Sequence, residues 1–283
     1  MSIFEQVKHI AYLGPGGSYT EMAKDIFCKK YDLGYMSQNP MRTIKEVLDF
    51  VNENPNTLGV VPVENSVEGT VRETLDNIIK TNDKIRFLSE NIIPVKHCLI
   101  SRTTEIYSIS GVIAHPKAIS QCQAFLKAQF PYHLELIEVA NTDEAAKKLQ
   151  NLNLTYAAIG TEKTAQDYNL NILKDNINDD VDNKTRFALV GNIDMPKTEN
   201  DFTTIAFSLH HKTGALLEVL QIFQKYSINI IAIDSRPGRI EQDDYTLFVN
   251  FKGNILDETI SKLYKEIEEI TPYIRLVGSF ERF

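Results

Sequence analysis

The hydrophobic pattern of the chain changes character at one place, and that break decides what it can fold into. From Ile10 to about Val190, short apolar runs alternate with amphipathic segments: Ile10 to Leu13, Leu58 to Val63, Gly111 to Ala114, Leu134 to Val139 and Tyr156 to Ile159. A helix is expected after each run, so this part reads as an α/β fold with a largely parallel sheet. A polar stretch with Pro196, Gly191 to Asp201, reads as a linker. Beyond it, Ile205, Phe207 and Leu209 alternate, and Leu216, Leu220 and Phe223 recur at helical spacing. Ile228 to Ile233 is rich in β-branched residues, Tyr245, Leu247, Val249 and Phe251 alternate again, and Ile260, Leu263, Ile267 and Ile270 are helical. A last strand is expected at Ile274 to Val277. The order βαββαβ predicts a ferredoxin-like unit with both helices on one face of a sheet. It would be a plausible independent domain, small enough that pairing with another copy would help bury its surfaces.

The length of 283 residues suits about two such domains. No basic start followed by a long apolar run opens the sequence, and no stretch approaches a membrane span, so an unexported, cytoplasmic protein is expected. Thirty Lys and Arg against 38 Asp and Glu give a net charge of -8, which opposes non-specific binding to nucleic acid or anionic membrane. Any anionic substrate must then be held by local donors. Cys28, Cys98 and Cys122 are far apart and odd in number, which fits reduced thiols. His97 and Cys98, adjacent on one strand, would point to opposite faces, so no zinc is expected, nor any other metal or cofactor.

Ligands of open parallel sheets bind beyond the carboxyl ends of the strands. After the first strand comes Gly14-Pro15-Gly16-Gly17-Ser18-Tyr19-Thr20, either an anion-facing turn into a helix or a tight turn with Thr20 as cap. It matches neither a phosphate-binding loop ending in Lys-Ser/Thr nor a dinucleotide fingerprint. After the second comes Pro62 to Gly69, where Asn65 and Glu68 fit a capping box and Glu64 and Ser66 are placed to meet a ligand. The third, Ala114-His115-Pro116-Lys117, leads to Gln121 and Cys122, with His115 a candidate to line a site. At the fourth, Asn141 and Glu144 fit a capping box and Thr142 could offer a hydroxyl. Last, Asn183 to Phe187 sets a hydroxyl, a guanidinium and an aromatic ring at the mouth of an apolar strand. Small hydrogen-bonding residues at successive strand ends, without a metal cluster or a Ser-His-Asp set, point to a small organic acid as ligand.

Taken together, these residues resemble monofunctional bacterial prephenate dehydratase over nearly the whole length. The matching motifs are Gly14-Pro15-x-Gly17-Ser18-Tyr19-Thr20, Pro62-Val63-Glu64-Asn65-Ser66-x-Glu68-Gly69, His115-Pro116-x-Ala118 with Gln121-Cys122, and Asn183-x-Thr185-Arg186-Phe187. Gly214-Ala215-Leu216 and Asp234-Ser235-Arg236-Pro237 look like the ligand motifs of an ACT regulatory domain. The sequence departs from the family's usual residues at Lys117 and Asp234, where Gln and Glu are common, and before His115, where Ser is. It shows no counterpart of the helical chorismate mutase domain of fused relatives.

The resemblance implies a two-lobed, periplasmic-binding-protein-like catalytic domain at 8–190, with crossovers near 92–98 and 160–175 and the substrate, prephenate, lying between the lobes. It further implies a linker at 191–201, an ACT domain at 202–283 that binds L-phenylalanine as feedback inhibitor, and a homodimer or homotetramer. Thr185, Arg186, Phe187, Glu64, Asn65 and Ser66 would form the catalytic set. Gly17, Ser18, Tyr19, Thr20, His115, Gln121 and Thr142 would bind substrate, and Gly214, Ala215, Leu216, Asp234, Ser235, Arg236 and Pro237 would bind phenylalanine. Thr185 would assist loss of the ring hydroxyl, with Glu64 a proton partner if burial raises its pKa. In an extended strand Arg186 would point away from Thr185 and Phe187. Arogenate dehydratase activity and a non-catalytic small-acid sensor are the alternatives.

Overall fold

The computed structural model describes residues 3–237 and 245–283. Along the chain run β1 (His9–Leu13), α1 (Tyr19–Tyr31), β2 (Ser37–Met41), α2 (Ile44–Glu53), β3 (Thr57–Asn65), β4 (Gly69–Thr70), α3 (Arg72–Ile78) and β5 (Arg86–Pro94). Then come β6 (Cys98–Ser101), β7 (Gly111–Ala114), α4 (Pro116–Ser120), α5 (Gln123–Gln129), β8 (Glu135–Glu138), α6 (Thr142–Gln150), β9 (Tyr156–Gly160), α7 (Glu162–Asp167) and β10 (Asn171–Lys174). After β11 (Lys184–Gly191) follow β12 (Asp201–Ser208), α8 (Ala215–Lys225), β13 (Ile230–Pro237), β14 (Tyr245–Lys252), α9 (Glu258–Ile270) and β15 (Tyr273–Arg282).

These elements form two compact units. The first holds the N-terminal segment through Leu13, residues 23–92 and residues 186–283; the second holds 14–22 and 93–185. The chain enters the second unit at Ile92/Ile93, inside the expected crossover, but leaves it at Thr185/Arg186 rather than within 160–175. The reason is pairing: β10 runs antiparallel to β6, and Val95 N–H donates to Asn183 O at 2.8 Å, which keeps 171–183 in the second unit.

In the first unit the strand order is β13-β14-β12-β15-β5-β11-β3-β1-β2, with β4 a hairpin on β3. The sheet of the second unit runs β10-β6-β9-β7-β8, parallel at β7 with β8 and β9 but antiparallel at β6 with β9 and β10. Both sheets are therefore mixed, where periodicity suggested a largely parallel one. β2, β5 and β10 escaped that periodicity for two reasons. β2 and β10 lie at sheet edges and have little to bury, while β5 carries Ser89, Glu90 and Asn91 buried in its middle, which breaks the apolar run.

Residues 201–282 have the expected βαββαβ order, in the antiparallel arrangement β13-β14-β12-β15. Period-2 alternation explains its two faces. Ile205 and Phe207 on β12 and Leu247, Val249 and Phe251 on β14 join Val219, Phe223, Ile260, Leu263 and Ile267 of α8 and α9 in one core. The intervening Ala206 and Phe248 face the other way, into a second core with Val63, Leu75, Ile78, Ile85, Phe87 and Phe280. That second face answers what the sequence left open. It is covered by the first unit's α3 and α2 and continues across β5 and β3 of the same sheet, so this stretch shares a sheet and a core with residues 23–92 instead of standing apart. The joint is β15, which pairs with β12 along its length from Tyr273 to Glu281 and in parallel with β5 on its other edge from Gly278 to Arg282. Gly278 makes the approach possible, since a Cβ there would lie 2.4 Å from the Phe87 carbonyl oxygen. Between β11 and β12, residues 192–200 form no strand, as the linker reading anticipated.

In the same core, α2 buries Ile44, Val47, Leu48 and Val51, a stripe at i, i+3, i+4 and i+7. Each such side chain contributes about 1.5–3 kcal/mol of transfer free energy. Thr43 Oγ1 caps the helix by accepting from Glu46 N–H at 3.1 Å, and Glu46 Oε2 accepts from Arg42 N–H at 2.9 Å.

Candidate active site

In the first unit the candidate residues gather where β3 ends and β11 begins. Strand geometry holds from Lys184 onward, so alternation applies: Phe187 is 2% exposed in the core, while Arg186 is aimed elsewhere. Arg186 Nη2 meets Glu64 Oε2 at 2.6 Å. Its Nε is buried without a hydrogen-bond partner and lies 3.5 Å from Glu90 Oε2. The Glu64 side chain keeps 41% of its surface exposed, so the burial that a proton-partner role required is not present in this state. Thr185, half-buried, is the second residue of β11 and the last residue of the second unit.

Asn65 does not cap a helix. It is the last residue of β3, and its Oδ1 accepts from Val67 and Glu68 N–H, both at 3.0 Å, closing the turn to β4. Glu64 then sits opposite Thr70 and Asn65 opposite Gly69, whose φ is +82°. An asparagine oxygen serves a turn and a helix N-terminus equally well, which is why the sequence read as a capping box. Ser66 lies exposed in that turn, and α3 begins only at Arg72.

In the second unit the glycine-rich loop is organised by its own side chains. Ser18 Oγ, not Thr20, caps α1 by accepting from Glu21 N–H at 3.2 Å; Thr20 is buried. Glu21 Oε2 reaches back to accept from Gly17 N–H at 2.8 Å, so a carboxylate of the chain already fills the place predicted for an anion at that amide. Gly17 has φ +77°, and a Cβ there would come within 3.3 Å of Thr164 Oγ1. Tyr19 donates from its hydroxyl to Lys96 O at 2.7 Å and meets the His97 ring edge-on at 6.1 Å. His97 Nε2 in turn is hydrogen-bonded to Gln121 Oε1 at 2.9 Å. Burial pushes the Tyr19 hydroxyl well above the ordinary tyrosine range and pulls the His97 imidazole below its usual value, partly offset by Gln121. Both groups are thus held neutral. Tyr19 and Gln121 share one cluster through His97, and Gly17 lies two residues before Tyr19. His115 instead turns its Nδ1 to accept Lys117 N–H at 3.1 Å, as an N-cap. Thr142 opens α6, where Asn141 Oδ1 accepts from Glu144 N–H at 2.8 Å as expected, and its Cγ2 borders Gly160.

The residues matched to phenylalanine binding fall into two groups on different elements, α8 and β13. Gly214, Ala215 and Leu216, at the start of α8 with Gly214 at φ +85°, line an open cavity of about 760 Å³ with Leu209 and Tyr245. Asp234 to Pro237 lie on β13, outside that lining. There alternation divides them: Ser235 and Pro237 are exposed, while Asp234 and Arg236 turn inward. Asp234 Oδ1 accepts from Thr70 Oγ1 at 2.7 Å, and Arg236 makes a two-pronged bond to Asp76, 2.6 Å at each oxygen. The guanidinium holds the Asp76 carboxyl below the usual carboxylate range.

The sequence pattern of prephenate dehydratase matches residues 10–194. The chain belongs to the prephenate dehydratase family. A prephenate dehydratase of Methanocaldococcus jannaschii is 34% identical, with 98% of this chain and 99% of that protein aligned. A bifunctional chorismate mutase/prephenate dehydratase of Aquifex aeolicus is 34% identical over 100% of this chain and 75% of its own length. The crystal structure of a prephenate dehydratase from Arthrobacter aurescens in complex with L-Phe superposes with a TM-score of 0.85 at 29% identity, covering 97% of this chain and 90% of that one.

Against this family background, the residues that sequence reasoning missed are Glu90, Glu21 and His97. Glu90 had a signal, a charged residue between the apolar pairs Phe87-Leu88 and Ile92-Ile93. Glu21 completes a Ser-x-x-Glu box readable from Ser18. His97, next to Cys98, reads from sequence only as a metal candidate, and nothing in its spacing announces Tyr19 or Gln121. Among the described residues, no group of three or more His, Cys, Asp or Glu is placed to hold a metal ion, and no helix is long and apolar enough to cross a membrane.

Proposed function

We infer that the protein is a prephenate dehydratase, converting prephenate to phenylpyruvate with loss of carbon dioxide and water in phenylalanine biosynthesis. The observation that carries the activity is the family match over residues 10–194. The site assignments and the regulatory reading are our own. Residues 202–283 act as an ACT domain and L-phenylalanine as feedback ligand, which the L-Phe complex of the Arthrobacter relative supports. We further propose a cytoplasmic homodimer or homotetramer.

The chemistry assigns work to few groups. The bond from the ring to its carboxylate breaks, its electron pair moves into the ring, and the ring C–O bond breaks so that the hydroxyl leaves as water after gaining a proton. Aromatisation drives the step, and the poor leaving group is the obstacle. A donor aimed at the departing oxygen contributes roughly 10²- to 10⁴-fold. Thr185 is assigned that role through a strong hydrogen bond from its hydroxyl. Arg186 is assigned to the pyruvyl carboxylate, because clamping the carboxylate that is lost would stabilise the ground state more than the transition state. The 2.6 Å pair between Arg186 and Glu64 supports this: a guanidinium held by an exposed carboxylate can exchange it for that of a substrate.

The test is an ultraviolet assay of phenylpyruvate formed from prephenate, with and without L-phenylalanine, and with arogenate as a parallel substrate. Turnover of prephenate, suppressed by L-phenylalanine, is expected. Binding without turnover would make the protein a sensor, and a strong preference for arogenate would reassign the substrate. For Thr185→Ala, substrate binding should persist while kcat falls at least about 100-fold; near-parent turnover would remove Thr185 from the mechanism.

A further inference from the structure

Glu90 is a carboxylate of the first unit that is 1% exposed and shared by two guanidinium groups from different strands. It sits on β5, between β11, which carries Arg186, and β15, which carries Arg282. Register places Arg282 directly beside Glu90, and the chain end is stitched there on both sides: Phe283 N–H donates to Glu90 O at 3.0 Å, and Ile92 N–H to Phe283 O at 3.1 Å. Arg282 Nε holds Glu90 Oε2 at 2.7 Å; Arg186 Nε approaches the same oxygen only to 3.5 Å. Arg282 is itself fixed from the C-terminal sheet, by Asn250 Oδ1 at 3.2 Å and by the face of Phe202, 3.9 Å from its Cζ. Asn250 continues to Thr204 Oγ1 at 2.8 Å. The result is an alternating row of charges, Glu64, Arg186, Glu90, Arg282, from a proposed catalytic residue to residues 202–282. The cavity beside this row, lined by Glu90, Arg186, Asn250 and Asp234, measures about 30 Å³. It has no room for a ligand, so side chains alone make the connection.

We propose that Glu90 is a positioning residue for Arg186 whose hold is set by Arg282, so that affinity for substrate depends on where the C-terminal strand β15 sits. The physical reason is competition for one oxygen. A buried guanidinium nitrogen without a hydrogen bond gains by taking the nearest carboxylate, and here that carboxylate is already committed to Arg282. Arg186 is thereby left to Glu64 on its other side. Withdrawing Arg282 opens Glu90 Oε2 to Arg186, which then turns from Glu64 and from an incoming substrate carboxylate. This rests on the assignment of Arg186 to substrate binding made above.

The experiment is a double-mutant cycle on steady-state kinetics with prephenate, using Arg282→Gln, Glu90→Gln and the double variant, each first verified as folded by its circular dichroism melt. Arg282→Gln should raise KM about tenfold with kcat within about threefold of the parent, the size of one misdirected charged hydrogen bond. Adding Glu90→Gln should bring KM back to within about threefold of the parent, because nothing then draws Arg186 away. A purely structural role would lower kcat through the folded fraction and leave KM unchanged. An Arg282→Gln protein with parental KM, or a double variant no better than the single, overturns the proposal while the dehydratase reading stands. A parent without prephenate turnover overturns both.

Discussion

Arg275 offers the most direct measure of how firmly residues 201–282 belong to the first unit. It lies on β15, is 3% exposed, and its guanidinium is inserted into the turn that follows α3. Nη1 donates to Ile78 O at 2.7 Å and Thr81 O at 3.1 Å; Nη2 donates to Thr81 Oγ1, Asn82 O and Ile85 O at 3.1, 2.9 and 2.8 Å. Its nearby carboxylate, Asp83, stands 3.5 Å from Nε and is 81% exposed, so carbonyls rather than an ion pair hold the charge. Replacing it with Met keeps the stem and removes the donors. Ile78 O and Asn82 O would retain other donors, Thr81 and Ile85 N–H. The loss therefore concentrates on Thr81 O and Ile85 O, at about 1–3 kcal/mol for each buried group left without its partner. Arg275→Met is expected to cost about 3–5 kcal/mol, and Arg275→Lys roughly half, since an ammonium has three donors and no fork. Urea unfolding followed by far-ultraviolet circular dichroism and tyrosine fluorescence measures this; the chain has 12 Tyr and no Trp. A loss below about 1 kcal/mol would refute the view that this guanidinium fastens the C-terminal sheet to the turn.

Further outcomes follow from the same geometry. Gly278→Ala puts a Cβ 2.4 Å from a backbone oxygen that no rotamer change can move, so a loss of about 1–3 kcal/mol and faster amide exchange in β5 are expected from hydrogen-exchange mass spectrometry. His97 is buried with its imidazole pKa lowered by desolvation, so the unfolded chain takes up its proton first as pH falls. Stability should be at its full value above the unfolded pKa near 6.5 and decline as pH drops through it toward the folded value; His97→Gln should flatten that slope in melts between about pH 7 and 5. Asp76→Asn leaves Arg236 facing a neutral amide and should cost about 1 kcal/mol, discounted for the partial exposure of the carboxylate. In the parent, the lowered Asp76 pKa means this contribution is present above about pH 4 and lost as pH falls through the folded value, and the variant's acid melt should lack that component.

Much of the candidate site could be read without coordinates because it depends on local order. A strand ending at Asn65 or Gly160, a helix opening at Thr142, and alternation of Thr185, Arg186 and Phe187 are fixed within a few residues of chain, and so is the Asn141 cap. Local rules failed where one residue type serves two local structures, as Asn65 does in its turn, and where a neighbour competes, as Glu21 does for the Gly17 amide. They failed as well on the chain of contacts from Tyr19 to Lys96, 77 positions on, and its neighbour His97, and from His97 to Gln121, 24 positions further.

The alternation of elements, the family motifs and the two faces of the C-terminal sheet are local properties, because hydrophobic period and turn chemistry act over short spans of chain. Three features emerge only on folding: what covers the second of those faces, the pairing of β15 beside β5, and the sharing of Glu90 by Arg186 and Arg282. Those contacts join residues 96 to 192 positions apart. No periodicity encodes them, since they depend on which strand edge and which buried charge remain to be satisfied once the local pieces have formed.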